Sequence, residues 1–151
     1  MRSVNLNNKT IFISESVIEL FEIFKQNNTK DNESGGVLIG QVKADNIYIL
    51  KASTPNKFDK SSRYSFECDK DAAQIVMDFE FYNSNNKSIY IGEWHTHPEN
   101  HPTPSRKDIK MIKNQFKKNK LNEPLLILII QGTERLYVGL YDGNKIAFKI
   151  L

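Results

Sequence analysis

Apolar and polar positions along this chain switch repeatedly between a period of two and a period of about 3.6. "TIFIS" (10–14) alternates and predicts a short strand. Val17, Leu20, Phe21 and Phe24 then recur at i, i+3, i+4 and i+7, which predicts an amphipathic helix starting near Ser14. "NNTKDNESGG" is a polar connection ending in glycines. "VLIGQVKADNIYILKAS" predicts a hairpin with "ADN" at its turn, and "RYSFE" another short strand. Ala72, Ala73, Ile75, Val76 and Phe79 trace a second helix, with Asp69 or Asp71 near its start. "SIYIGEWHTH" reads as a strand, and Ser105 onward, through Ile109, Ile112 and Phe116, as a third helix. "PLLILII" is almost continuously apolar and predicts a strand central in a sheet. "ERLYVGLYDGNKIAFKI" closes the chain as a hairpin around "DGN". The pattern describes an α/β protein, one mixed sheet with about three helices packed on it.

Composition narrows this modestly. At 151 residues, with 39% hydrophobic and 26% charged residues, the chain is expected to form one globular domain over residues 1–151. "MRSVNLNNKTIFIS" carries no apolar leader, and "LLILII" is the longest apolar run, far short of the ~20 residues that span a bilayer. The single cysteine, Cys68, cannot form an internal disulfide, and a reducing cytoplasm is the expected setting. A net charge of +3 does not argue for nucleic acid. The basic residues are unevenly placed, however. Arg106, Lys107, Lys110, Lys113, Lys117, Lys118 and Lys120 share one segment with a single acid, Asp108. Such a run is usually a solvated helix face; the alternative is a docking surface for an acidic partner.

The candidate chemistry sits in "IGEWHTHPENHPTPSRKDI" (91–109), which holds all three histidines, His95, His97 and His101. Side chains alternate along a strand, so His95 and His97 face the same way, a natural bite for one metal ion. Asp108 follows in the first turn of the next helix. Two imidazoles and a carboxylate form a set that leaves a zinc position open for water, whereas a closed structural zinc site would want four ligands. "SRKD" (105–108) is also a capping box, so Ser105 and Asp108 have a second role that competes for the same carboxylate. Hydrolysis would further need a carboxylate to move a proton. Glu33, in "NESGGVLIG", Glu93 and Glu99 are the candidates, and the residues by themselves do not choose among them.

Glu33, His95-Thr96-His97-Pro98, Ser105 and Asp108, in that order and spacing, resemble the JAMM (MPN+) metallopeptidase family, whose pattern is a glutamate, then H-[ST]-H-P, then S-x-x-D. "ESGGVLIG" is similar to that family's E-x-G-G-x-L-x-G strand. The resemblance implies a cytidine-deaminase-like α/β sandwich, with His95, His97 and Asp108 as Zn2+ ligands and water in the fourth position. It implies Glu33 as the general base that then protonates the leaving amine, and Ser105 as a hydrogen-bond donor to the oxyanion. No catalytic position departs from the pattern.

"GEWHTHPENHPTPSRKD" is further similar to compact bacterial JAB peptidases of CBASS antiphage operons. That resemblance implies a protein substrate conjugated through its C-terminus, either a cyclic-oligonucleotide synthase or a ubiquitin-like protein such as a sulfur carrier. Other classes fit less well. Non-haem iron oxygenases share the two-histidine, one-carboxylate set but usually occupy all-β barrels. An H-x-H hydrolase on a TIM barrel needs about 250 residues, and zinc deaminases need a P-C-x-x-C motif that is absent. A binding module with a structural metal is the non-enzymatic alternative.

Overall fold

A computed structural model describes residues 1–119 and 121–151. Lys120, the last member of the basic run, lies outside the described residues. The elements follow in the order β1 (Arg2–Leu6), β2 (Lys9–Ile13), α1 (Glu15–Ile23), β3 (Gly35–Lys43), β4 (Asn46–Ala52), β5 (Lys60–Ser62), β6 (Ser65–Glu67), α2 (Lys70–Asn83), β7 (Ile89–Thr96), α3 (Arg106–Lys118), β8 (Leu126–Gln131), β9 (Leu136–Tyr141) and β10 (Ile146–Ile150). Eight strands form one sheet in the order β1-β2-β4-β3-β7-β8-β9-β10, and β5 and β6 form a separate small ribbon. The β2–β4 and β7–β8 pairs are parallel and the rest antiparallel, so the sheet is mixed as expected.

Strand alternation decides which face each side chain covers. Ile127 and Ile129 join Leu38, Ile91, Trp94 and helix residues Val17 and Phe21 in the larger core. Leu126, Leu128 and Ile130 point the other way, onto Ile112 of α3. Val37 and Ile39 likewise turn from Leu38 to pack on Ala73 of α2. Helix α1 therefore covers one face of the sheet and α2 with α3 the other. β8 is buried along its whole length because it has helices on both sides, which is why its sequence reads as unbroken apolar.

Two strands escaped the periodicity. β1 has only Val4 and Leu6 facing the core, too short an alternation to register. Its turn was nonetheless written in the sequence: Asn7 and Asn8 both take positive φ, 47° and 61°, the conformation a tight hairpin demands and asparagine tolerates. β5 is three exposed polar residues, so no apolar pattern could mark it. The second helix also differs from expectation. Ala73 is buried, but Ile75 and Phe79 are 70% and 63% exposed, so the apolar positions of α2 divide between two faces instead of forming one buried stripe.

Candidate active site

β7 carries His95 and leads directly into His97, and its phase is set by a bulge. Leu38 of β3 pairs with Gly92 while Ile39 pairs with Tyr90, which leaves Ile91 as the extra residue. Gly92 adopts φ 155°, and a Cβ there would lie 2.0 Å from the Ile127 carbonyl oxygen. Beyond the bulge, Trp94 and Thr96 face α1 while Glu93, His95 and His97 face α2 and α3. Trp94 anchors this end of the strand: it is 1% exposed, packs on Phe21 with ring centroids 5.0 Å apart, and donates from Nε1 to the Ser53 carbonyl at 2.9 Å.

Both histidines are buried, and their Nε2 atoms stand 3.1 Å apart. Asp108 Oδ2 lies 3.2 Å from His95 Nε2 and 3.1 Å from His97 Nε2. The helix cap and the contact with the histidines, expected to compete for this carboxylate, coexist. Ser105 Oγ accepts from the Asp108 backbone N–H at 3.1 Å, and Oδ2 of Asp108 accepts from the Ser105 N–H at 2.8 Å. The capping box is what aims Oδ2 at the rings. Because Ser105 Oγ serves as an acceptor, its own hydroxyl proton remains available to donate.

Glu33 arrives from the neighbouring strand. The antiparallel register Gly35↔His95 and Gly36↔Trp94, continued by two residues, sets Glu33 against His97. Its Oε1 is 3.6 Å from His97 Nε2, and the residue is 4% exposed. Glycine is needed in between: a Cβ on Gly35 would fall 2.6 Å from the Trp94 carbonyl oxygen, and one on Gly36 2.3 Å from that of Ser53. The "ESGG" stretch thus lets the backbone approach close enough to seat the carboxylate.

Sequence reasoning missed the group that fixes this corner. Gln26 is 3% exposed and sits in the loop after α1. Its Oε1 accepts from Thr96 Oγ1 at 2.9 Å, and its Nε2 donates to the carbonyls of Asp31 and Arg63, both at 3.1 Å. Thr96 Oγ1 in turn accepts from the Ser34 N–H at 2.9 Å, and the Glu33 N–H donates to the Ser62 carbonyl at 2.8 Å. One buried amide therefore ties together the residue between the histidines, the loop carrying Glu33, and the turn between β5 and β6. A lone glutamine in a polar stretch gives no periodic signal; only the threonine at the centre of H-T-H hinted at a partner.

Charge follows the geometry. Burial raises the pKa of Glu33 to about 7, and Asp108 adds to this while His97 opposes it. Burial would also raise Asp108, but hydrogen bonds from His95 and His97 and from the Ser105 backbone together hold it well below the usual carboxylate range. Burial pulls His97 down, yet the hydrogen bond to Asp108 and the charges of Asp108, Glu33 and Glu99 raise it on balance. Asp108 thus stays ionised beside a glutamate poised near neutrality.

The donor set fits a small divalent cation. Glu33, His95 and His97 each offer a ligand atom within 4.8 Å of one another. The two Nε2 atoms and Asp108 Oδ2 form a nearly equilateral triangle with edges of 3.1 to 3.2 Å. A tetrahedral ion with bonds of about 2.1 Å has ligand–ligand edges of about 3.4 Å, so little adjustment is required. Among the described side chains, the buried His97 Nδ1 has no hydrogen-bond partner; Glu99 Oε1, 3.5 Å away, is placed to take its proton and orient the ring. The remaining expected participants separate. Glu93 Oε1 accepts from Tyr90 Oη at 3.1 Å and, among the described residues, forms no hydrogen bond or ion pair with the histidines. His101 is exposed and forms no hydrogen bond or ion pair with them among the described residues.

An α/β fold that sets two histidines, an aspartate and a buried glutamate in one corner defines a metal-dependent hydrolase. Residues 22–139 match the family described as prokaryotic homologs of the JAB domain, and the chain belongs to it. It is a hydrolytic metallopeptidase of that family. A "CD-NTase/cGAS isopeptidase" from Pseudomonas aeruginosa is 32% identical over 91% of this chain and 87% of its own length. An Escherichia coli protein of the same name is 33% identical over 94% of this chain and 88% of its own. A "Probable metalloprotease y4qB" from Sinorhizobium fredii is 28% identical over 83% and 79%. The solution structure of a Desulfitobacterium hafniense protein superposes over 92% of this chain and 89% of its own with a TM-score of 0.61, at 15% identity, and so supports the fold. No helix among the described residues is long and apolar enough to cross a membrane.

Proposed function

We propose that this protein is a zinc-dependent isopeptidase that hydrolyses the amide bond following the C-terminal tail of a conjugated protein. The protein released is a cyclic-oligonucleotide synthase, and the reaction reverses its attachment within an antiphage operon. The triangle of His95 Nε2, His97 Nε2 and Asp108 Oδ2, with the Glu33 carboxylate beside it, carries the reading. The relatives named as isopeptidases support the substrate class. Residues 1–151 act as one domain, since the eight-stranded sheet runs from β1 to β10. A cytoplasmic setting suits the one free cysteine, Cys68.

His95, His97 and Asp108 hold the zinc. When bound, zinc would polarise the scissile carbonyl and make an attacking water more acidic. Glu33, buried beside that triangle, takes a proton in its ionised form as water adds to the carbonyl carbon. The Ser105 hydroxyl donates to the oxygen that becomes negative. As the C–N bond breaks, Glu33 returns its proton to the leaving amine, so the products are a free C-terminal carboxyl group and an amine. The capping box holds the Asp108 carboxylate in place, and the hydrogen bonds from His95, His97 and the Ser105 backbone keep it ionised.

Incubating the zinc-loaded protein with a CD-NTase joined through its C-terminus to a carrier amine tests this. Mass spectrometry should show the synthase with its native C-terminus and the free carrier. Internal cleavage of the synthase, or no release at all, would overturn the substrate assignment.

A further inference from the structure

A cleft of about 280 Å³ runs from Asp108 along α3, between that helix and the strand β6. Phe66 and Met111 supply its apolar lining, and four lysines surround it, Lys107, Lys110 and Lys118 from α3 and Lys70 from the start of α2. All four are exposed, and among the described residues none forms an ion pair. Three acids also line the cleft. Asp108 is committed to the histidines and Glu93 accepts from Tyr90, which leaves Glu67 as the one lining acid without a charged or hydrogen-bonded side-chain partner among the described residues. The cleft is therefore cationic and opens beside Asp108, at the edge of the catalytic corner.

We infer that this cleft takes an acidic stretch of the substrate's C-terminal tail, with carboxylates against Lys70, Lys107, Lys110 and Lys118 and a small apolar side chain between Phe66 and Met111. The inference rests on the isopeptidase reading and names its substrate class more narrowly. Charge complementarity selects the occupant. A neutral tail would gain only the short apolar wall, and a basic tail would meet four like charges. The outer face of α3 supplies an internal control, because Lys113 and Lys117 line a different, open groove with Ser105 and Ile109.

The probe is a small folded carrier with a flexible C-terminal tail capped as an aminocoumarin amide, made with tails carrying Asp, Asn or Lys near the end. Binding is read by fluorescence anisotropy on the metal-loaded Glu33→Gln protein, and hydrolysis by coumarin release with the unmodified protein. The Asp tail should bind about tenfold more tightly than the Asn tail, which two or three exposed ion pairs supply, and the preference should fade at high salt. Lys70→Glu with Lys118→Glu should abolish the preference for Asp and confer one for Lys, whereas Lys113→Glu with Lys117→Glu should leave it unchanged. Equal affinity for Asp and Asn tails would overturn the inference, as would equal damage from the outer-face pair or tighter binding of a single-stranded oligonucleotide. Cleavage of all tails alike would leave the isopeptidase standing without this specificity. Selective binding of the Asp tail with cleavage of none would support the cleft and remove the isopeptidase.

Discussion

The two sides of the catalytic corner are built by different means. His95 sits on β7, His97 follows directly after its last residue, and Asp108 lies in the first turn of α3, so regular elements place all three in advance. Glu33 sits just before β3 in an irregular corner held by the buried amide of Gln26 and the hydroxyl of Thr96. The proposed ligand side is fixed by secondary structure, and its three side chains touch one another directly. The base side is fixed by polar contacts several residues away, so it should be adjustable without disturbing the ligands. Damage to one side should therefore look unlike damage to the other.

The largest effect should come from the ligand side. His97→Ala removes one corner of the donor triangle, and both bound metal and turnover should vanish together while far-UV circular dichroism stays native. Retained stoichiometric metal would place the ion elsewhere. Ser105→Ala should slow turnover by about 10²-fold, the usual cost of one oxyanion donor, and cost about 1 kcal/mol of stability through the lost cap. A drop in melting temperature with unchanged kcat would leave Ser105 as a helix cap alone.

On the base side, Gln26→Leu leaves the Thr96 hydroxyl and the Asp31 and Arg63 carbonyls without their partner, at roughly 1–3 kcal/mol for each unpaired group. Metal content should hold while kcat falls by about tenfold, since Glu33 loses its fixed position. Equal loss of metal and kcat would show that the two sides are not separable.

The smallest effect is one of pH. Burial raises both Glu33 and Glu93 to about 7, above their ordinary unfolded value near 4.5. Groups raised on folding stabilise fully below the unfolded pKa and lose that contribution as pH rises through the folded one. Metal-free protein should thus melt at a lower temperature at pH 8 than at pH 5, and Glu93→Gln should lessen the difference. Turnover runs the opposite way, rising with pH as Glu33 ionises, with its acid limb at or below about 7 because a bound cation favours the carboxylate.

These same differences explain what was legible in the sequence. Period-two alternation through "SIYIGEWHTH" and the capping box of "SRKD" placed the histidine pair and Asp108, because regular elements convert spacing into geometry. The glycines after Glu33 signalled close backbone approach, and the family resemblance supplied its role. The bulge at Ile91 and Gly92 left no periodic trace, yet it determines that Glu93 shares a face with Tyr90. Gln26 was invisible because its partners are 5, 37 and 70 residues away, two of them backbone carbonyls. The cap and the histidine contact at Asp108 seemed exclusive in one dimension; in three, one oxygen serves both.

The most direct test of a ligand side separable from a base side is the metal content and turnover of one preparation of Glu33→Gln. The amide keeps the size and burial of the side chain but cannot accept a proton as a carboxylate does. The structure predicts about one metal per chain, a native melting profile, and isopeptide hydrolysis reduced by about 10³-fold or more. Turnover near that of the unmodified protein, or loss of the metal along with activity, would contradict it.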